Sequence, residues 1–170
     1  MEQLKQYIKS YQDFPKKGVL FQDVLGILQE PEVFNELIRN MSKSEFFKSA
    51  EAIISIDARG FIFGSAISLV TSKPLIVARK PQKLPGDLIT RSYDLEYGNN
   101  TLCIQKKSVE KFNYIAIVDD LIATGGTVNC VYEILNSLGK NVTGLSVVIE
   151  LKELKGSSKL PFRVESQIII

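Results

Sequence analysis

Apolar residues along the chain follow two kinds of spacing. Between Glu32 and Met41 they recur as Val33, Phe34, Leu37, Ile38 and Met41, which is one face of a helix, and Pro31 suits its first turn. Val131, Ile134, Leu135 and Leu138 repeat that spacing within Val128–Leu138, and Gly139 is placed to end the helix. Gly60–Thr71 is apolar and helix-like, closed by Lys73-Pro74. Between these stretches lie short uncharged runs rich in β-branched residues: Ala52–Ile56, Leu75–Ala78, Tyr114–Val118 and Leu145–Ile149. Continuous apolar strands alternating with helices predict an α/β fold, with a mainly parallel central sheet flanked by helices. Residues 80–101 break the alternation with Pro81, Pro85, Gly86 and Gly98 among charges and tyrosines, and read as a long irregular segment, either a functional lid or disordered.

The 170 residues suit one domain, 1–170, with no internal repeat. A composition that is 45% hydrophobic and 24% charged excludes a disordered chain, and no apolar run approaches the roughly 20 residues of a membrane helix. The net charge of +2 implies no nucleic-acid face. There is no histidine, so Ser-His and Cys-His nucleophiles and the usual zinc sites are out of reach. Cys103 and Cys130 read as core or near-surface thiols. With no basic and apolar leader at Met1–Gln6, a cytoplasmic protein is expected.

The strongest chemistry lies where Tyr114–Val118 runs into Asp119 and Asp120, then Leu121-Ile122-Ala123-Thr124-Gly125-Gly126-Thr127 and a helix. Ligands of open α/β sheets sit at the carboxyl ends of strands. Gly125 and Gly126 let backbone approach a ligand, the amides entering the helix suit a phosphate, and Thr124 and Thr127 add hydroxyls. No lysine follows the glycines, so this is not a Walker A loop. Asp119 and Asp120 suit ribose hydroxyls or the outer shell of a magnesium ion on a polyphosphate. The plain alternative is an ordinary strand–turn–helix with a solvated acidic corner. Asp57-Ala58-Arg59-Gly60 also follows a strand, and Arg79, Lys80 and Lys83 form a cationic cluster after another. Their plain readings are a turn and a solvated face.

Val118–Thr127 resembles the phosphoribosyl pyrophosphate (PRPP) loop of the type I phosphoribosyltransferases. Phe14–Asp23, Asp57–Gly64, Arg79–Gly86 and Ser92–Gly98 resemble, in order and spacing, the adenine phosphoribosyltransferase family, and the likeness extends through Leu154-Lys155-Gly156. The resemblance implies a type I fold with residues 1–30 as a base-binding segment and 80–101 as a mobile hood. It implies that adenine and PRPP give AMP and pyrophosphate, with Mg2+ held mainly through PRPP rather than by the protein. Ala123–Thr127 would take the 5-phosphate. Asp57, Ala58, Arg59, Arg79, Lys80 and Lys83 would take the pyrophosphate, with a cis Asp57–Ala58 bond. Val19, Leu20 and Phe21 would hold the base, and Glu96, beside Tyr97 of the hood, would assist proton transfer at the purine. A homodimer is implied as well. Lys17, Gln22 and Gln82 depart from the family's pattern. Two other readings share these residues: transfer to a different purine base, and a regulator that binds PRPP without catalysis.

Overall fold

The structure, a computed structural model, describes residues 2–95 and 98–170. Its centre is a five-stranded sheet in the order β4 (Leu75–Ala78), β3 (Ala52–Ile56), β7 (Tyr114–Ile122), β8 (Asn141–Glu150), β9 (Val164–Ile169), parallel throughout. All five β3 residues are buried, as a strand covered on both faces requires. Helices α2 (Pro31–Met41), α3 (Phe46–Ser49) and α4 (Gly60–Thr71) pack on one face with the N-terminal segment, around Leu37, Phe47, Ile53, Phe63, Ile67 and Val118. Helix α6 (Gly126–Ser137) covers the other face, around Ile54, Ile56, Ile117, Val131, Leu135 and Leu145. Alternate residues of β3 and β7 therefore feed two separate cores. A fully buried Ile or Leu contributes about 1.5–3 kcal/mol.

Smaller elements complete the chain. These are α1 (Glu2–Lys5), the antiparallel pair β1 (Lys9–Gln12) and β2 (Leu20–Asp23), the hairpin β5 (Leu88–Leu95) and β6 (Gly98–Gln105), and α5 (Lys106–Val109).

Several sequence expectations change. The strand expected to stop at Val118 continues to Ile122, because Leu121 and Ile122 keep pairing with Ile149 and Glu150 of β8, so Asp119 and Asp120 lie within the strand. The segment read as irregular is a ribbon, with β5 and β6 in register from Leu88–Gln105 to Leu95–Gly98. The helix expected over Val128–Leu138 begins two residues earlier, at Gly126. The first two runs, Ala52–Ile56 and Leu75–Ala78, and helix Gly60–Thr71 have the bounds expected. The cis Asp57–Ala58 bond is present, and Phe14–Pro15 is cis as well.

Gly64 shows how closely α4 is seated on the sheet. A Cβ there would lie 2.3 Å from the Ser55 hydroxyl oxygen of β3. Gly64→Ala should therefore cost about 1–3 kcal/mol and lower Tm by about 3–10 °C in calorimetry. An unchanged Tm would contradict this seating.

Candidate active site

The chain runs from β3 outward to β4 and then returns to lay β7 on the other side of β3. Strand order reverses there, and a crevice opens at the carboxyl ends of β3 and β7. Three loops meet around it. Asp57–Arg59 leaves β3, Arg79 leaves β4, and Ala123–Gly125 leaves β7 and enters α6. Gly125 holds φ +84°, a left-handed conformation that glycine adopts readily. The first amides of α6 have no carbonyl one turn back, so they are available to an anion.

Asp119 and Asp120 are each only 7% exposed. The Asp119 Oδ1 accepts a hydrogen bond from the Asp120 amide at 2.9 Å. The first residue of α4 lies against the same oxygen: a Cβ on Gly60 would sit 2.6 Å from Asp119 Oδ1. Burial raises the Asp119 pKa well above the ordinary carboxylate range, and the neighbouring Asp120 charge raises it further. Burial raises the Asp120 pKa also, with Arg59 opposing the shift.

Arg59 joins three parts of the site. Its Nε is 2.7 Å from Asp120 Oδ2, its guanidinium carbon lies 4.7 Å from the centre of the Phe21 ring, and Nη1 reaches 3.5 Å from the Gln22 carbonyl oxygen. The edge of Phe14 meets Phe21 at 5.0 Å between centroids. Val19 and Leu20 are exposed beside them. Arg79 is engaged in the same way: Nε is 2.9 Å from Asp57 Oδ2, and the guanidinium carbon stands 5.4 Å from the Phe61 ring centre. Main-chain bonds between Arg79 and Cys103 tie the end of β4 to β6. Lys80 and Lys83 follow at the same end of the sheet, both exposed. Cys103 and Cys130 are buried and free, and burial raises both thiol pKa values.

The phosphoribosyl transferase domain family matches residues 24–168. An adenine phosphoribosyltransferase of Prochlorococcus marinus is 64% identical over 165 residues, 97% of this chain and 96% of that protein. The chain belongs to the adenine phosphoribosyltransferases. Another member, from Mycoplasmopsis agalactiae, is 43% identical over 92% of this chain and 91% of its own length. Among solved structures, the adenine phosphoribosyltransferase of Thermoanaerobacter pseudethanolicus superimposes with a TM-score of 0.92 at 35% identity, covering 99% of both chains. The Saccharomyces cerevisiae enzyme, complexed with an imino-altritol bisphosphate and adenine, gives 0.90 at 34% identity over 98% of this chain and 97% of that one.

In this chain the crevice gathers the acid pair, Asp57, Ala58, Arg59, Arg79, the Ala123–Thr127 loop and, through Arg59, Phe21. Glu96 and Tyr97 lie outside the described residues. Gly156 carries more than its place at the end of the resembling blocks suggests. Its Cα faces the loop so closely that a Cβ would lie 2.2 Å from the Ala123 carbonyl oxygen and 2.8 Å from the Gly125 nitrogen. Nearby, Lys159 Nζ donates to the Thr124 carbonyl at 3.4 Å, and Glu150 accepts from Ser157 and from Ser166. Gln22, a departure from the family's pattern, is buried and accepts from Ser10 Oγ at 2.9 Å across the β1–β2 pair.

Because the folded Asp119 binds its proton more tightly than the unfolded chain does, stability falls as pH rises from the ordinary carboxylate range through the raised value. Asp119→Asn removes the buried charge and keeps the Oδ1 acceptor. It should raise Tm of the ligand-free protein at neutral pH by about 2–4 °C and flatten the slope of Tm against pH. An unchanged slope would contradict the assignment. Gly156→Ala should displace the loop. The expected result is at least a ~10-fold rise in KM for PRPP with Tm lowered by less than ~5 °C, and an unaltered KM would separate Gly156 from the loop's geometry.

Proposed function

We propose that this chain transfers the 5-phosphoribosyl group of PRPP to N9 of adenine, giving AMP and pyrophosphate in purine salvage. The observation that carries this reading is the position of Arg59, with one ring of the N-terminal segment against its face and a buried carboxylate against its edge. A base beside Phe21 and a ribose beside Asp120 would be neighbours across that side chain.

In this reading Ala123–Thr127 holds the 5-phosphate on loop amides and the Thr124 and Thr127 hydroxyls. Asp119 and Asp120 accept the ribose hydroxyls, which meets the need of two buried carboxylates for donors. Arg59, Arg79, Lys80 and Lys83 hold the pyrophosphate, with Asp57 and Ala58 lining its loop. Before substrate arrives, Arg59 and Arg79 are balanced by Asp120 and Asp57, so binding exchanges one set of anions for another. As the C1–pyrophosphate bond breaks, positive charge develops on the ribose ring, and N9 attacks from the opposite face. Positioning and charge carry the rate. Val19, Leu20 and Phe21 hold adenine, and Glu96 assists the proton of the purine beside Tyr97. Residues 1–30 thus serve the base and 80–101 the closure of the site, within a single domain.

The hard carboxylate oxygens of Asp119 and Asp120 suit the hydrated outer shell of magnesium carried on PRPP. Among the described residues no cluster of three or more acidic or thiol side chains is arranged to cage a metal. Magnesium bound to PRPP supplies neutralising charge for the leaving pyrophosphate. PRPP is multiply charged and does not cross membranes, which supports a cytoplasmic reaction, and no helix among the described residues is long and apolar enough to span one. The outer face of α4 carries Leu69, 82% exposed, and Val70, and Leu75 of the edge strand is exposed as well, which supports a homodimer through these apolar residues.

The test is AMP formation from adenine with PRPP and magnesium, beside hypoxanthine, guanine and xanthine. Turnover with adenine alone is expected. Turnover only with another base would move the error to Val19–Phe21 and the hood, and PRPP binding without turnover would favour a regulator. Glu96→Gln should lower kcat at least ~100-fold while changing the Kd for PRPP by less than ~3-fold. An unaltered kcat would remove Glu96 from the mechanism.

A further inference from the structure

The β5–β6 ribbon does not stand away from the body of the protein. It lies along α6, and its contacts fall on one stripe of that helix. Thr127 Oγ1 is 3.2 Å from the Tyr93 phenol oxygen, Cys130 Sγ donates to the Arg91 carbonyl at 3.4 Å, and Glu133 Oε2 pairs with Arg91 Nη2 at 2.9 Å. Thr127, Cys130 and Glu133 are spaced three apart and share one helix face, while Arg91 and Tyr93 are spaced two apart and share one face of the strand. The ribbon therefore reaches the start of α6 at a residue of the loop assigned to the 5-phosphate.

A threonine hydroxyl has one proton and can also accept, and a phenol O–H can do both. A phosphate oxygen only accepts. When Thr127 gives its proton to a phosphate, it can no longer donate to Tyr93, but its lone pairs remain free. The phenol can then turn and donate to Thr127 Oγ1. The resulting chain, phenol to hydroxyl to phosphate, aims the Thr127 proton at the anion, and each bond polarises the next.

We propose that Tyr93 is a positioning residue for the 5-phosphate, acting through the Thr127 hydroxyl, so that the hood and the phosphate site share one hydrogen-bonded chain. This rests on the reading of Thr127 as a phosphate ligand. It gives the ribbon a task at the opposite end of the substrate from the base.

The probe is ribose 5-phosphate, bound to the full chain and followed by calorimetry, with wild type, Tyr93→Phe, Thr127→Val, the double variant and Arg91→Ala. Tyr93→Phe keeps the ring and its packing. It should weaken ribose 5-phosphate about 3–10-fold, and raise the KM for PRPP by a similar factor with kcat within ~2-fold. The double variant should bind no more weakly than Thr127→Val alone, because the phenol acts only through that hydroxyl. Arg91→Ala, which loosens the ribbon but spares the phenol, should leave binding within ~2-fold. Wild-type affinity in Tyr93→Phe, or losses that simply add in the double variant, would overturn the proposal. An equal loss in Arg91→Ala would assign the effect to docking of the ribbon and overturn it too. Wild-type affinity in Thr127→Val would strike out the phosphate-ligand reading, and the proposal with it.

Discussion

Asp119 and Asp120 stand next to each other on a strand at the middle of the sheet, nearly closed off from water, and carboxylates so placed must be met by the protein. Much of the local architecture answers that demand. Gly60 gives Asp119 room at the start of α4, the Asp120 amide turns onto Asp119, and Arg59 is drawn across the crevice to Asp120. Arg59 in turn fixes where Phe21 and the Gln22 carbonyl lie. Keeping two acids buried is costly in the empty protein, and a substrate that brings hydroxyl donors would relieve that cost. A site of this kind is selective by its own discomfort, since a ligand lacking such donors leaves the carboxylates unsatisfied.

The fold was legible where burial is symmetrical. Ala52–Ile56 and Leu75–Ala78 lie in a sheet covered on both sides, so their apolar runs stand out and their bounds are as expected. Legibility failed where charge and structure part company. Asp119 and Asp120 look like the end of a strand, but their main chain is still held by β8. β9 carries Glu165, Ser166 and Gln167 on a sheet edge, and went unread for the same reason. The β5–β6 ribbon was hidden by the prolines, glycines and charges of its segment, although Leu102, Cys103 and Ile104 of β6 are buried.

Within the site, residues whose side chains bear charge could be named from the sequence, because their chemistry is in their type. Arg59, Arg79 and the acid pair fall together as their strand-end positions suggested. Gly156 could not be assigned a task in that way. Its contribution is the absence of a side chain against Ala123 and Gly125, about thirty residues away along the chain, and nothing local betrays such a contact. Tyr93 was visible only as one letter in a resembling block, and its partner lies on a different element.

The sheet separates two cores that share few side chains. Arg59 and the N-terminal segment belong to the layer of α2, α3 and α4, while the Ala123–Thr127 loop and the ribbon belong to the layer of α6. In the proposed binding mode, a molecule with a phosphate at one end and a base at the other touches both layers at once. Such a substrate is in that sense a cross-brace, and its binding free energy is shared by halves of the protein that otherwise meet mainly through the strands. Loss of either layer's order would release the other from the brace, so saturation with substrate should merge the fluctuations of the two layers into a single cooperative unit.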